Sequence, residues 1–120
     1  MTNSDTDGFA AYSKGDYAQA LVSARIAAEE GKADGQYLLG RMYGLGECLD
    51  QDFTTSLQWL RLAAQQGNAA AQHQVGLYLE KGLGTPTDPV EAEKWYRLAA
   101  TQGNAEAQYR LAEILHRRGQ

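Results

Sequence analysis

Few side chains in this 120-residue sequence have the chemistry of a catalyst or a metal ligand. The single cysteine, Cys48, lies beside Glu47 and Asp50, and neighbouring acids disfavour the thiolate that a nucleophile requires. The two histidines, His73 and His116, are far apart, and no second ligand stands at zinc spacing around His73. The sequence therefore predicts no catalytic residue, no metal site and no cofactor, and we expect the protein not to be an enzyme.

Two other groups of side chains invite a chemical interpretation. Glu47, Asp50 and Asp52 are close enough to attract a cation weakly, but the spacing and the glycine of an EF-hand loop are absent. Trp59 and Trp95 resemble a ligand-stacking pair, but their place on an apolar helical stripe favours packing. We therefore expect both groups to be structural.

The whole-chain composition narrows the class of partner and the compartment. The net charge of -4 argues against binding of nucleic acid or of an anionic membrane surface. The polar segment from Met1 to Asp7 has no leader features, and no apolar run approaches the roughly 18 residues of a membrane span. We expect a cytoplasmic protein, or a periplasmic or secreted one if a leader peptide has been removed.

The elements that carry these side chains recur with a period of 36 residues. Each copy has an aspartate, then an alanine pair, a glycine and a glutamine at fixed offsets; these are Asp16, Asp52 and Asp88, Ala27-Ala28, Ala63-Ala64 and Ala99-Ala100, Gly31, Gly67 and Gly103, and Gln36, Gln72 and Gln108. A fixed period in this range is typical of a solenoid, in which each unit buries its apolar face against its neighbours.

Each copy predicts two helices. In the third copy, Asp88 and Pro89 form a helix start, an apolar stripe with helical spacing follows, and Gly103 ends it. The second helices are predicted over 33–43, 69–81 and 105–116. Glycine inside two of them, Gly40 and Gly76, costs up to about 1 kcal/mol of helix propensity, which indicates close backbone packing.

The predicted fold is all-α, an α/α superhelical solenoid of three 36-residue helix-turn-helix repeats with a short N-terminal capping helix. We place the capping helix at 5–15, where Phe9 and Tyr12 can cover the first unit. The repeats span 16–51, 52–87 and 88–120, within a single domain over 1–120.

The segment from Asp88 to Gln108 resembles the Sel-1-like repeat family, a branch of the tetratricopeptide-repeat-like superfamily. It reads Asp-x-x-x-Ala-x-x-Trp-Tyr-x-x-Ala-Ala-x-x-Gly-Asn-Ala-x-Ala-Gln. The departures are local, since Ser23 replaces the tryptophan and Cys48 stands where a glycine is expected. The resemblance implies a noncatalytic adaptor or scaffold that holds a protein or peptide in the groove of a right-handed superhelix.

Two alternative functions stay open at the level of sequence. One is an immunity or inhibitor protein that binds a single bacterial effector. The other is a hydrolase resembling the cysteine-rich, β-lactamase-associated branch of the family, although this chain lacks the regularly spaced cysteine pairs of that branch. RNA binding by helical repeats would require a basic face, which the acidic composition disfavours.

By the family's geometry, one flank of the first helix in each repeat is expected to line the inner curve. An arginine recurs there in all three copies, and the predicted groove comprises Leu21, Arg25, Thr54, Leu57, Arg61, Val90, Glu93 and Arg97. Guanidinium groups beside leucines suit a peptide with carboxylates and an apolar anchor. The alternative is that these arginines are solvated or paired internally, as Glu93 suggests.

The last helix is a second candidate surface. With nothing stacked beyond it, Tyr109, Leu111 and Ile114 are expected to remain partly exposed, and an uncovered solenoid end favours association. The sequence therefore also predicts a weak homodimer through the C-terminal helix.

Overall fold

The fold is an α/α solenoid, and the computed structural model describes residues 4–119. Within that range it has seven helices and no strand: α1 Ser4–Ser13, α2 Tyr17–Glu29, α3 Ala33–Leu45, α4 Phe53–Gln65, α5 Ala69–Lys81, α6 Pro89–Thr101 and α7 Ala105–Arg117. Each helix packs on the next in chain order, which gives a body of 51 × 27 × 23 Å. None of the described helices is long and apolar enough to traverse a bilayer.

The repeated polar residues begin the helices. Asp16, Asp52 and Asp88 each accept a hydrogen bond from the backbone N–H three residues later, at 3.2, 3.1 and 3.0 Å. Asn68 and Asn104 cap α5 and α7 in the same way, both at 2.8 Å. These side chains satisfy amides that have no partner inside the helix, so the helix starts follow directly from the repeat.

Glycine inside α3 and α5 marks a close helix crossing, as the sequence predicts. A Cβ atom on Gly40 would lie 2.8 Å from Leu60 Cγ, and one on Gly76 would lie 2.7 Å from Tyr96 Cε1. The missing side chain lets α4 and α6 approach the backbone of the preceding helix. The packing gained there offsets the lower helix propensity.

The core consists of two clusters of buried side chains. One joins α4 to α7 and includes Leu60, Val75 and Tyr96, while the other joins α1 to α3 around Leu38 and Met42. In α1, Phe9 and Tyr12 pack against the second cluster. The N-terminal helix therefore covers the open side of the first repeat, although it ends at Ser13, two residues before the predicted boundary.

Candidate partner-binding cleft

The three repeated arginines do not form a row of free cations. Arg61 Nη1 lies 3.1 Å from Glu91 Oε1, and Arg97 Nη2 lies 2.9 Å from Glu93 Oε2. Arg25 is exposed and has no carboxylate within 4.0 Å among the side chains of residues 8–119. Internal pairing, the alternative that Glu93 suggested, therefore accounts for two of the three arginines.

The leucines predicted to anchor a peptide beside those arginines belong to the core. Leu57 is only 6% exposed, because it shares the buried stripe of α4 with Leu60 and Ala64. Leu21 is half-buried and packs against the α1–α3 cluster, while Thr54 is exposed at the start of α4. This corrects the predicted groove, since Leu57 cannot serve as an exposed anchor.

Two residues of the predicted groove and one of the predicted self-association surface meet at a cavity. Val90 and Glu93 of α6 face Ile114 of α7 across a space of about 430 Å³. Glu80, Pro89, Ala92, Arg117 and Arg118 complete its lining. We call this space, between the start of α6 and the end of α7, the cleft.

The charges around the cleft are paired with one another. Glu93 Oε1 accepts a hydrogen bond from Arg118 Nη2 at 2.5 Å, and Glu93 Oε2 accepts one from Arg97 Nη2. The bonds from Arg118 and Arg97 hold the pKa of Glu93 below its usual value. Arg117 Nη2 lies 4.0 Å from Glu80 Oε2. With these charges compensated, the cleft is suited to an apolar side chain rather than to an ion.

The cleft is larger than the space at the same place one repeat earlier, which measures about 310 Å³, because smaller side chains line it. Ile114 and Ala92 occupy the repeat positions of Tyr78 and Ser56. Tyr78 is 6% exposed, and its hydroxyl lies 2.8 Å from Ser56 Oγ. A smaller pair at the same place leaves apolar wall uncovered, and Val90 beside it is 68% exposed.

Sequence reasoning assigned Val90 and Glu93 to one surface and Ile114 to another, and it missed Glu80, Arg117 and Arg118. The signal available was the replacement of Tyr78 by Ile114 one repeat later. At the C-terminal end, Tyr109 is 61% exposed and Leu111 is half-buried against α6. Self-association through this helix stays a prediction.

The residues weighed for chemistry occupy separate places. Cys48 is exposed in the loop after α3, with a φ of 62°. His73 is 5% exposed, and burial lowers its pKa although Glu106 lies 3.7 Å away. Among the side chains of residues 8–119, no three histidine, cysteine or acidic groups are arranged as metal ligands would be.

The family follows from comparison with known proteins. The Sel1 repeat profile matches residues 33–68, 69–104 and 105–120, so the chain belongs to the Sel1 repeat family, whose members are generally protein-interaction scaffolds. These matches and the predicted repeats have the same period and differ in which helix is counted first.

Solved structures with the same fold include two from bacterial Sel1-type proteins. A Sel1 repeat protein from Oxalobacter formigenes is 40% identical, with 86% of this chain and 81% of that chain covered and a TM-score of 0.79. The protective antigen c5321 of uropathogenic Escherichia coli, which has an SLR fold, is 34% identical with a TM-score of 0.88. That alignment covers 95% of this chain and 25% of the antigen, so this chain spans a quarter of its length.

The Helicobacter pylori cysteine-rich protein B shares the fold with a TM-score of 0.70 at 20% identity, over 74% of this chain and 67% of that protein. No curated protein sequence matches this chain.

Proposed function

We propose that this protein is a noncatalytic interaction module, an adaptor or scaffold that holds a segment of a partner protein in the cleft. The cleft itself carries the proposal. It combines the exposed Val90 and the half-buried Ile114 with charged side chains that are already paired. Membership of the Sel1 repeat family supports the same function, since its members are generally scaffolds.

The size and lining of the cleft define what the partner must present. A space of about 430 Å³ admits a large apolar side chain, whose full burial contributes about 1.5–3 kcal/mol. One such side chain gives weak binding, so further contacts are needed for a stable complex. Leu98, which is 51% exposed, continues the apolar surface along α6 from Val90. A short partner helix or extended segment lying along α6 would cover both.

A substitution at the mouth of the cleft tests the proposal. In Val90→Asp, a carboxylate replaces a side chain that is 68% exposed, so folding should be preserved while an apolar partner group is repelled. Leu62→Asp, on an exposed leucine of α4 outside the cleft, is the matched control. Circular dichroism and thermal melting of all three proteins establish that they are equally folded.

The measurement is affinity capture from cells that express the protein, followed by titration of the purified captured protein. We expect the native chain and Leu62→Asp to bind it equally and Val90→Asp to bind at least tenfold more weakly, as about 1.4 kcal/mol implies. Equal binding by Val90→Asp would show that the cleft is not the site. If no protein is retained by the native chain, the interaction function itself is contradicted.

A further inference from the structure

A second cavity lies one repeat before the cleft and has a different chemistry. It measures about 310 Å³ and is lined by Arg41, Gly44, Leu45, Gln51, Phe53, Gln74 and Tyr78. Gly44, Phe53 and Tyr78 hold the repeat positions of Glu80, Pro89 and Ile114 in the cleft. We call it the Arg41 pocket. Its cation has no counterpart in the cleft, because the position of Arg41 is occupied by Leu77 in the next repeat.

Arg41 is a half-buried cation that bonds a tyrosine hydroxyl. Its Nη1 donates to the hydroxyl of Tyr37 at 3.1 Å, and its Cζ lies 5.9 Å from the centre of that ring. Among the side chains of residues 8–119, no carboxylate approaches it within 4.0 Å, whereas Arg61, Arg97, Arg110, Arg117 and Arg118 are all paired. A partly desolvated guanidinium gains from a carboxylate more than an exposed one does.

The hydrogen bonds around the pocket show which donors remain for a ligand. Ser56 Oγ gives its only proton to the carbonyl of Gly40 at 2.6 Å, so Tyr78 must donate its own proton to Ser56. Gln51 uses one amide N–H on the carbonyl of Gly44 at 2.8 Å. Gln74 has no side-chain hydrogen bond among the described residues. Arg41, Gln74 and the second N–H of Gln51 are therefore left to bind an anion.

Other residues that line the pocket are apolar. Phe53 packs edge-on against Tyr78, with ring centres 5.8 Å apart and planes at 86°. Leu45 borders the same space and is 54% exposed. A ligand in this volume therefore meets a guanidinium and amide donors as well as aromatic and aliphatic carbon.

We propose that the Arg41 pocket binds the C-terminal residue of a peptide, with its free carboxylate on Arg41 and its apolar side chain against Phe53 and Leu45. The small volume requires that the carboxylate and the apolar group stand within a few ångströms of each other. A C-terminal residue carries both on one Cα, whereas an internal acidic residue would need its neighbour to supply the apolar group. The amides of Gln51 and Gln74 can bond the last peptide unit, because an amide both donates and accepts. The site is independent of the cleft, and so is its test.

The test uses three probes that all carry a phenyl group. They are the tripeptide acetyl-Ala-Ala-Phe with a free carboxylate, the same tripeptide as a C-terminal amide, and 3-phenylpropionate. For ligands this small we expect dissociation constants of about 0.1–10 mM, which is within reach of titration by ¹H–¹⁵N NMR. The free acid should shift the side-chain amide signals of Gln51 and Gln74 and the Nε–H signal of Arg41. It should bind at least about fivefold more tightly than either of the other probes.

Arg41→Gln removes the cation, and Arg25→Gln, at an exposed arginine outside the pocket, is the matched control for charge. Arg25→Gln should bind the free acid like the native protein, and Arg41→Gln should bind it at least about fivefold more weakly. Because Arg41 also bonds Tyr37, a second variant, Gln74→Glu, places a negative charge in the pocket without altering that contact. It should weaken binding of the free acid by a larger factor than binding of the amide, because only the acid is repelled by the added charge.

Three results would overturn the proposal. They are equal binding of acid and amide, shifts that map away from the pocket, and no saturable binding at all. If 3-phenylpropionate binds as tightly as the tripeptide, the site takes a small free carboxylate and the peptide assignment is wrong. None of these results bears on Val90→Asp and the cleft, so the two proposals can fail separately.

Discussion

The side-chain amide of Gln102 lies 2.9 Å from the side-chain oxygen of Gln72, thirty residues earlier, and the same nitrogen lies 2.9 Å from the carbonyl of Gly67. Gln66 makes the equivalent pair of contacts one repeat earlier, with Gln36 at 2.8 Å and Gly31 at 2.9 Å. The glutamines therefore connect the turn of each repeat to the next. Glutamine recurs at these positions, and each of these side chains contacts two consecutive repeats.

Removal of one of these connections should weaken the stacking of two repeats. We expect Gln66→Ala to lower the free energy of unfolding by about 1 kcal/mol, since two hydrogen bonds are lost but the site is partly solvated. Chemical denaturation followed by circular dichroism measures this. Gln65→Ala, at the exposed neighbouring position, is the control and should change stability by less than about 0.5 kcal/mol. Equal effects of the two variants would contradict the role of Gln66.

The crossing of α5 and α6 should not tolerate a methyl group. A Cβ on Gly76 would lie 2.7 Å from Tyr96 Cε1 and 3.2 Å from the carbonyl oxygen of Ala92, and Tyr96 is fully buried. We expect Gly76→Ala to destabilise the protein by about 1–3 kcal/mol despite the better helix propensity of alanine.

Ala112→Gly, at the same repeat position in α7, provides the comparison for Gly76→Ala. Ala112 is exposed, so its replacement should lower the free energy of unfolding only by the difference in helix propensity between alanine and glycine, which is up to about 1 kcal/mol. Thermal or urea unfolding of both variants tests the argument. A stabilised Gly76→Ala protein would show that α6 can move away at little cost.

The buried pair Ser56 and Tyr78 should behave as one unit. Ser56→Ala leaves the Tyr78 hydroxyl without its acceptor in a buried site, and we expect a loss of about 1–3 kcal/mol. Tyr78→Phe removes the group that needs the acceptor, so the double variant should lose less than the sum of the two single variants. A double-mutant cycle should give a coupling energy of about 0.5–3 kcal/mol, and strict additivity would contradict the interaction.

Acidification should destabilise the protein through His73. Burial lowers its pKa in the folded state, Arg110 acts in the same direction and Glu106 opposes both, so the unfolded chain takes up a proton more readily. The stability that neutral His73 provides is present above its unfolded pKa of about 6.5 and is lost as the pH falls below that value. The loss cannot exceed about 1.4 kcal/mol per pH unit.

The variant His73→Tyr isolates this dependence, because tyrosine occupies the same position in the other two repeats, at Tyr37 and Tyr109. Urea unfolding between pH 7.5 and 5.5 should show a smaller loss of stability for His73→Tyr than for the native protein. The exposed His116 supplies the control, since His116→Tyr should follow the native curve. If stability changes with pH in the same way for all three proteins, the pH dependence does not arise from His73.

Much of the fold was predictable because its determinants are local. Asp52 caps the helix that it precedes, and Gly40 and Gly76 each lie where the following helix packs closely against the backbone. The identity of each such residue fixes a turn or a crossing within a few residues of itself, and the 36-residue period then propagates the arrangement. The solenoid, the capping helix and the class of protein follow from the sequence alone.

The candidate site was not predictable in the same way. Leu57 and Val90 were predicted to line one flank of the first helices, yet one is 6% exposed and the other 68%, because burial depends on which side chains the neighbouring helices bring. Whether Arg61 is free depends on Glu91, thirty residues later, and the volume of the cleft depends on Ile114 being smaller than Tyr78. These outcomes depend on contacts between residues of different helices, and only the three-dimensional stacking of the helices turns them into a cavity, a pocket or a closed surface.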